Sequence, residues 1–224
     1  MISNDPTVSV VIPTLNEEES IGKVLSAIPD ELVDEVLVVD GSSDMTARIA
    51  KRFGARVIRE PRRGYGRALQ TGIENATGDI VVYIDGDLTY DPSDIIKLIG
   101  PVQDGNLDGV LGNRFLGDGN RRSMPFPNRL GNRVLSTVFR LIFRTEINDT
   151  QCGMRAFVRQ VLLKHRCSNL GMAYVTEQLA KLVKSGYRVG EVPISYRPRV
   201  GQSKLHPFRD GFTILWTMFR ERLS

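Results

Sequence analysis

The chain has 224 residues, 41% hydrophobic and 25% charged, with a formal net charge of +4 and a sequence pI near 9.2. That length and balance predict one globular domain over residues 1–224 with room for a substantial core. No stretch reaches the roughly eighteen apolar residues of a membrane span, residues 1–5 lack the basic and apolar parts of a signal peptide, and an aromatic share of 7% argues against stacked bases and a nucleic-acid partner.

Residues 8–12 form an apolar run stopped by Pro13 and predict a first buried strand. Asn16, with Glu19 three residues on, predicts a capping box for a helix whose apolar face is Ile21, Val24, Leu25 and Ile28. A second strand over 36–39 ends at Asp40-Gly41-Ser42, and a short helix through Ala47 and Ala50 stops at Gly54. A short strand over 56–59 follows, and Gly64-Tyr65-Gly66 opens a helix that closes near Gly78. The strand over 80–84 empties into Asp85-Gly86-Asp87. Asp91 and Pro92 supply a cap and first residue for the next helix, and 110–112 is a strand running into Asn113-Arg114. Beyond this point the pattern loosens. It predicts a polar loop over 117–128, helices over 129–143 and 176–184, a strand over 189–196 that Pro193 assigns to a sheet edge, a polar loop over 200–206 and an amphipathic helix within 208–224. Cys152 and Cys167 lack Cys-x-x-Cys spacing and read as reduced thiols of a cytoplasmic protein.

Alternating strands and helices predict an α/β fold built of right-handed βαβ units on a largely parallel sheet. Ligands of such sheets gather at the carboxyl ends of the strands, where Asp40, Asp85 and Asp87 all lie. Two carboxylates one residue apart, with Gly86 allowing close backbone approach, suit Mg²⁺ or Mn²⁺, which take one or two carboxylates together with substrate phosphates. The first strand-to-helix turn, Pro13-Thr14-Leu15-Asn16-Glu17, has no glycine, so a dinucleotide fingerprint is absent; so are a P-loop and a Gly-x-Ser-x-Gly elbow. Only His165 and His206 are available for histidine chemistry. Arginines crowd two stretches, 114–144 and 197–222, and their excess over lysine there points to bidentate phosphate contacts.

Several stretches together carry a family resemblance. Val10 to Glu17 (Val-Val-Ile-Pro-Thr-Leu-Asn-Glu), Val38 to Thr46, Gly64 to Ala68 and Gly78 to Asp87 resemble the family-2 glycosyltransferases. Gly112 to Phe115, Asp149 to Phe157, Val192 to Arg199 and Gly201 to Leu205 narrow the likeness to dolichol-phosphate mannose and glucose synthases. The resemblance implies a GT-A fold and inverting transfer of one hexose from a nucleotide sugar to a dolichyl or other polyprenyl phosphate. By position it implies that Pro13, Leu15, Glu17, Asp40, Gly66 and Asp85 line the nucleotide and that Asp85, Asp87 and Thr89 face Mg²⁺ or Mn²⁺. It implies that Arg114, Arg129, Arg199 and Lys204 hold donor or acceptor phosphates, with Asp87, Arg114 and Arg129 closest to the chemistry. Thr89 stands where mannose-type members often carry Gln, and Val39-Asp40 where many read Asp-Asp.

Members that glycosylate hydroxyls usually carry Glu-Asp ahead of a helix, with the Asp as base; here the pair is Glu177-Gln178, and a glutamine takes no proton at neutral pH. A phosphate nucleophile, with a second pKa near ~6, needs no base. The terminal helix and the 129–143 segment carry aromatic and basic residues that suit a headgroup layer or a protein core alike. The expected setting is peripheral, on the cytoplasmic face of a membrane. Transfer to a small soluble phosphorylated acceptor and non-catalytic nucleotide binding are the alternatives; UDP against GDP, the hexose and the oligomeric state stay open.

Overall fold

The computed structural model describes residues 5–116, 123–201 and 206–224. One seven-stranded sheet organises the chain. Its strands are β1 (Val8–Thr14), β2 (Glu35–Asp40), β3 (Arg56–Arg59), β4 (Ile80–Tyr83), β5 (Gly109–Asn113), β6 (Arg155–Val158) and β7 (Val189–Pro193). They lie in the order β3-β2-β1-β4-β6-β5-β7. Every pairing is parallel except those of β6, which runs against both β4 and β5. The predicted, mostly parallel sheet is therefore present, with one reversed strand that sequence reasoning missed.

Parallel strands are covered on both faces, so successive residues feed opposite layers. Val10, Ile12, Val82 and Ile84 pack with Ile21, Val24, Ile95 and Leu98 on one side. These last four come from α1 (Ile21–Ser26) and α4 (Ile95–Gln103), with α2 (Thr46–Arg52) beside them. Val11, Val39, Val81 and Tyr83 face the other layer. That layer is built by α3 (Tyr65–Asn75), α5 (Phe126–Phe143), α6 (Arg159–Lys164), α7 (Tyr174–Lys184) and α8 (Pro207–Leu223). Each fully buried Val, Leu or Ile in these layers contributes about 1.5–3 kcal/mol relative to exposure, so the doubly covered β1 and β4 are the most firmly held.

Local differences from the sequence reading have physical causes. β1 continues through Pro13 to Thr14 because its pairing with β4 ends at Val11, leaving Pro13 a neighbour on the β2 side alone. The predicted capping box at Asn16 and Glu19 does not form. Asn16 lies in the left-handed region (φ 54°), and its amide oxygen accepts the Ser43 N–H at 3.0 Å. The helix begins later, at Ile21, after Ser20, whose hydroxyl donates to the Gly86 carbonyl at 2.7 Å. The turns after β1, β2 and β4 are thus tied to one another. Asp91 caps as predicted, accepting from Ser93 N–H, and β7 is the edge that Pro193 suggested. The loop predicted over 117–128 lies partly outside the described residues, and α5 already begins at Phe126.

Helix α3 lies close on β1 because Gly72 has no side chain: a Cβ there would stand 2.2 Å from Val11 Cγ1. Alanine at an ordinary helical site gains about 1 kcal/mol over glycine, whereas overpacking a tight core costs about 1–3 kcal/mol. Gly72→Ala should therefore lower the urea unfolding free energy by up to about 2 kcal/mol, and Val11→Ala should cost less in that background than alone.

Candidate active site

The carboxyl ends of β1, β2, β4, β5 and β7 deliver Glu17, Asp40, the Asp85–Asp87 turn, Arg114 and Arg199 to one edge of the sheet. Strand order reverses between β1 and β4, and a crevice at such a reversal is where doubly wound sheets bind ligands. Because β6 runs the other way, the loop that precedes it, Asp149 to Met154, enters this same edge.

Asp85 is enclosed. Its Oδ1 accepts the Tyr65 hydroxyl at 2.9 Å, and its Oδ2 faces Gly153, where a Cβ would approach within 2.8 Å. Burial, and then the negative charge of Asp87, raise its carboxyl to about 7, while the Tyr65 hydrogen bond and Arg199 pull it down. Asp87 Oδ1 accepts both the N–H and the hydroxyl of Thr89, at 3.0 and 2.6 Å. The Thr89 hydroxyl donates its hydrogen to Asp87 and so orients that carboxylate, while its oxygen keeps its lone pairs. Asp87 Oδ2 is bridged by Arg199 Nη1 at 2.8 Å, and Arg199 Nη2 reaches Glu17 Oε1 at 3.0 Å. Leu88, directly after the paired acids, is held at φ 62°, a left-handed conformation that a leucine keeps only when its surroundings impose it.

The remaining residues sort by what they touch. Pro13 and the exposed Leu15 border the first turn. Asp40 is fully buried, accepting from the Thr14 hydroxyl, the Ser42 N–H and Arg59. Gly66 packs α3 onto α7, since a Cβ there would meet Tyr174 at 2.3 Å. Arg114 is buried and held by Asp149 through two side-chain bonds of 2.7 Å each, with its cation 5.4 Å from the Tyr196 ring centre. Burial, the largest single influence, would depress that guanidinium, but Asp149, Tyr90 and Cys152 together hold it above the ordinary arginine value. Arg129 and Arg133 stand over the Phe126 and Phe115 rings and, with Arg114, Met124 and Leu130, line a cavity of about 310 Å³. Lys204 lies outside the described residues. The sequence reading gave no individual role to Tyr65, Asp149, Gly153 or Arg133; the Gly64–Ala68 and Asp149–Phe157 motifs and the arginine-rich 114–144 stretch contained them without singling them out.

Glu177 and Gln178 are both buried in α7. Burial would raise the Glu177 carboxyl, but Lys181 and the Ser168 and Asn169 N–H groups together hold it at about 2. The Gln178 amide donates to the Tyr83 hydroxyl at 3.0 Å.

Among the described residues no group of three acidic, cysteine or histidine side chains forms a metal cage. The Asp85 and Asp87 carboxylates, the first held by the Tyr65 phenol and the second paired with Arg199, nonetheless fit a divalent ion that completes its shell with phosphate oxygens.

The family described as glycosyl transferase family 2 matches residues 9–166. The chain belongs to glycosyl transferase family 2. A dolichyl-phosphate hexose transferase of Haloferax volcanii is 38% identical over 210 residues, covering 92% of this chain and 90% of that protein. The low-salt glycan biosynthesis hexosyltransferase Agl6 of the same organism is 35% identical over 92% of this chain, which spans 52% of that longer relative. The crystal structure of glucosyl-3-phosphoglycerate synthase from Mycobacterium tuberculosis with Mn²⁺, UDP and glucosyl-3-phosphoglycerate superposes with a TM-score of 0.80. It is 27% identical, over 96% of this chain and 80% of that one. The fold is of the GT-A type, as the sequence implied.

The Asp85 carboxyl should titrate near pH 7 in side-chain carboxyl NMR of the metal-free protein. Removing its charged neighbour in Asp87→Asn should move that titration to lower pH, and losing the phenol hydrogen bond in Tyr65→Phe should move it higher.

Proposed function

We propose that this protein transfers a hexose, with inversion, from a UDP- or GDP-linked sugar to a polyprenyl phosphate of the dolichyl type, working at the cytoplasmic surface of a membrane. The observation that supports this reading most is the cavity beside Arg114. Arg129 and Arg133 give it positive charge, while Phe115, Met124, Phe126 and Leu130 give it apolar wall. A lipid phosphate has that same division into anionic head and hydrocarbon. Phe126 and Leu130 are also exposed, so the wall continues onto the protein surface.

In this reading Pro13, Leu15, Glu17 and Asp40 border the nucleoside, and Asp85 and Asp87 would hold Mg²⁺ or Mn²⁺ against the diphosphate. Bound there, the ion would neutralise charge growing on the departing diphosphate. Tyr65 and Thr89 fix the two carboxylates beforehand, so little reorganisation accompanies the reaction. Arg129 and Arg133 draw the acceptor phosphate in and offset its repulsion from the donor, and Arg199 serves the donor phosphates beside the acidic turn; the family resemblance gives Lys204 a phosphate role as well. Arg114, clamped by Asp149, forms the fixed polar floor of the cavity that Arg129 and Arg133 line. A phosphate oxygen forms the new bond to the anomeric carbon as the bond to the diphosphate breaks. With the acceptor already ionised, no side chain has to remove a proton, and Gln178 is not equipped to do so.

Both surface helices carry an outward apolar stripe: Phe126, Leu130, Val134 and Leu141 on α5, and Phe208, Phe212, Trp216, Phe219 and Leu223 on α8. Exposed arginines at 133, 140, 144, 209 and 222 accompany them. Apolar residues with basic neighbours suit an anionic lipid surface. No helix among the described residues is long and apolar enough to cross a membrane.

A second reading, transfer to a small soluble phosphorylated acid, is favoured by the acceptor of the mycobacterial synthase. Labelled nucleotide sugars offered with Mn²⁺ to detergent-solubilised polyprenyl phosphate, and in parallel to water-soluble phosphorylated acceptors, separate the two. We expect lipid-linked product; product on the soluble panel alone would replace the lipid assignment. Asp87→Ala should reduce turnover on the order of 10³-fold, and Arg129→Ala should raise KM for the lipid phosphate about tenfold. In flotation with vesicles containing phosphatidylserine, Phe212→Ser combined with Trp216→Ser should cut the bound fraction several-fold. Equal flotation would remove α8 from the membrane contact.

A further inference from the structure

We propose that Arg199 is the built-in counter-cation of the acidic turn, so that a divalent ion is taken up together with the donor's diphosphate and not before it. The inference rests on the reading that Asp85 and Asp87 hold such an ion. Its basis is the way Asp87 is used up. One of its oxygens accepts two bonds from Thr89, and the other is taken by Arg199 at 2.8 Å. The same guanidinium reaches Glu17 at 3.0 Å. Arg199 therefore links the turn after β1 to the turn after β4, across the crevice where the diphosphate is expected.

The backbone keeps it there. Arg197 N–H donates to Thr89 O at 2.8 Å and Val200 N–H to Asp87 O at 3.1 Å, laying the segment alongside the acidic turn. Gly201 then leaves in a left-handed conformation, φ 85°. A cation tethered this closely competes with dissolved metal at a high effective concentration.

The guanidinium is nonetheless incompletely served. Arg199 Nε is buried and has no hydrogen-bond partner. A diphosphate would give that N–H an acceptor and offer the fork a bidentate anion, which arginine favours. Drawing Arg199 off Asp87 Oδ2 vacates the position that a metal ion needs, and the diphosphate brings further ligands for the ion. Metal and diphosphate then favour one another's binding reciprocally.

The test uses the full chain, stripped with EDTA and titrated with Mn²⁺ alone, with bound ion read by loss of the free-ion EPR signal and by thermal melting. Wild type should bind Mn²⁺ weakly and melt at an unchanged temperature. Arg199→Met should bind Mn²⁺ at least about tenfold more tightly. It should also melt lower than wild type without metal and recover when Mn²⁺ is added. Arg199→Lys, which keeps the charge but cannot bridge both carboxylates as a fork, should fall between and carries the comparison if the methionine variant does not fold. Mn²⁺ affinity in the variants no greater than in wild type, with wild type still taking up Mn²⁺ alongside UDP or GDP, would overturn this inference alone. Wild type taking up no Mn²⁺ even with UDP or GDP would overturn it together with the divalent-ion reading.

Discussion

Repulsion between Asp85 and Asp87 governs the arrangement of this end of the molecule. Two carboxylates one residue apart, Asp87 buried and Asp85 half-buried, cannot both be charged without help. The fold supplies that help in three forms: a phenol on Asp85, a hydroxyl and an N–H on Asp87, and a guanidinium between Asp87 and Glu17. The carboxyl of Asp85 still stands near 7, so the compensation is partial. The turn retains an affinity for positive charge that the protein alone does not satisfy. That residual demand distinguishes a site from an ion pair. Arg114 and Asp149, by contrast, neutralise one another through two short bonds.

Much of this was legible in the chain. The central strands of the first half, β1, β2 and β4, read correctly because they are apolar runs ending near Gly, Pro or Asp, and a parallel sheet leaves such inner strands buried on both faces. The acidic turn and its place at a strand end follow from the same pattern. What the sequence concealed is the work of β6. It has only four residues and begins with Arg155, a residue type that ordinarily signals surface. In the folded chain Arg155 is fully buried and donates to the carbonyls of Thr150, Cys152 and Val175. No periodicity announces an arginine satisfied by backbone alone. With β6 unseen, the reversed entry of the 149–154 loop was unseen too, and with it the roles of Asp149 and Gly153.

The arginines were legible as a class but not individually. Their number at 114–144 and 197–222 pointed to anions, yet composition cannot tell a clamped guanidinium from an available one. Arg114 is committed to Asp149, while Arg133 is exposed above Phe115 at the mouth of the cavity. Strand ends impose the distinction. Arg114 follows β5 directly into the buried edge, whereas Arg133 sits two turns into α5, on the rim. The amphipathic helices divide in the same way. Period alone left core and surface as rivals for α8, and the structure turns Ile214 and Met218 into the core while Phe212 and Trp216 stay exposed.

A helix with two apolar faces is also tied, through its neighbours, to the acidic turn. Helix α8 is fastened through Glu177, whose carboxylate receives Arg220 at 2.9 Å and Lys181 at 2.8 Å as well as the N–H groups of Ser168 and Asn169. Glu177 lies in α7, and its neighbour Gln178 bonds Tyr83, the last residue of β4 before Ile84 and Asp85. Tyr174, in the same helix, packs on Gly66 one residue from Tyr65, the phenol that holds Asp85. One buried helix therefore supports both the outward stripe of α8 and the partners of the acidic turn. The substitution of Gln for an acid at 178 fits that position. Enclosed beside two tyrosine hydroxyls, a second carboxylate would add negative charge to a region whose pressing need is positive.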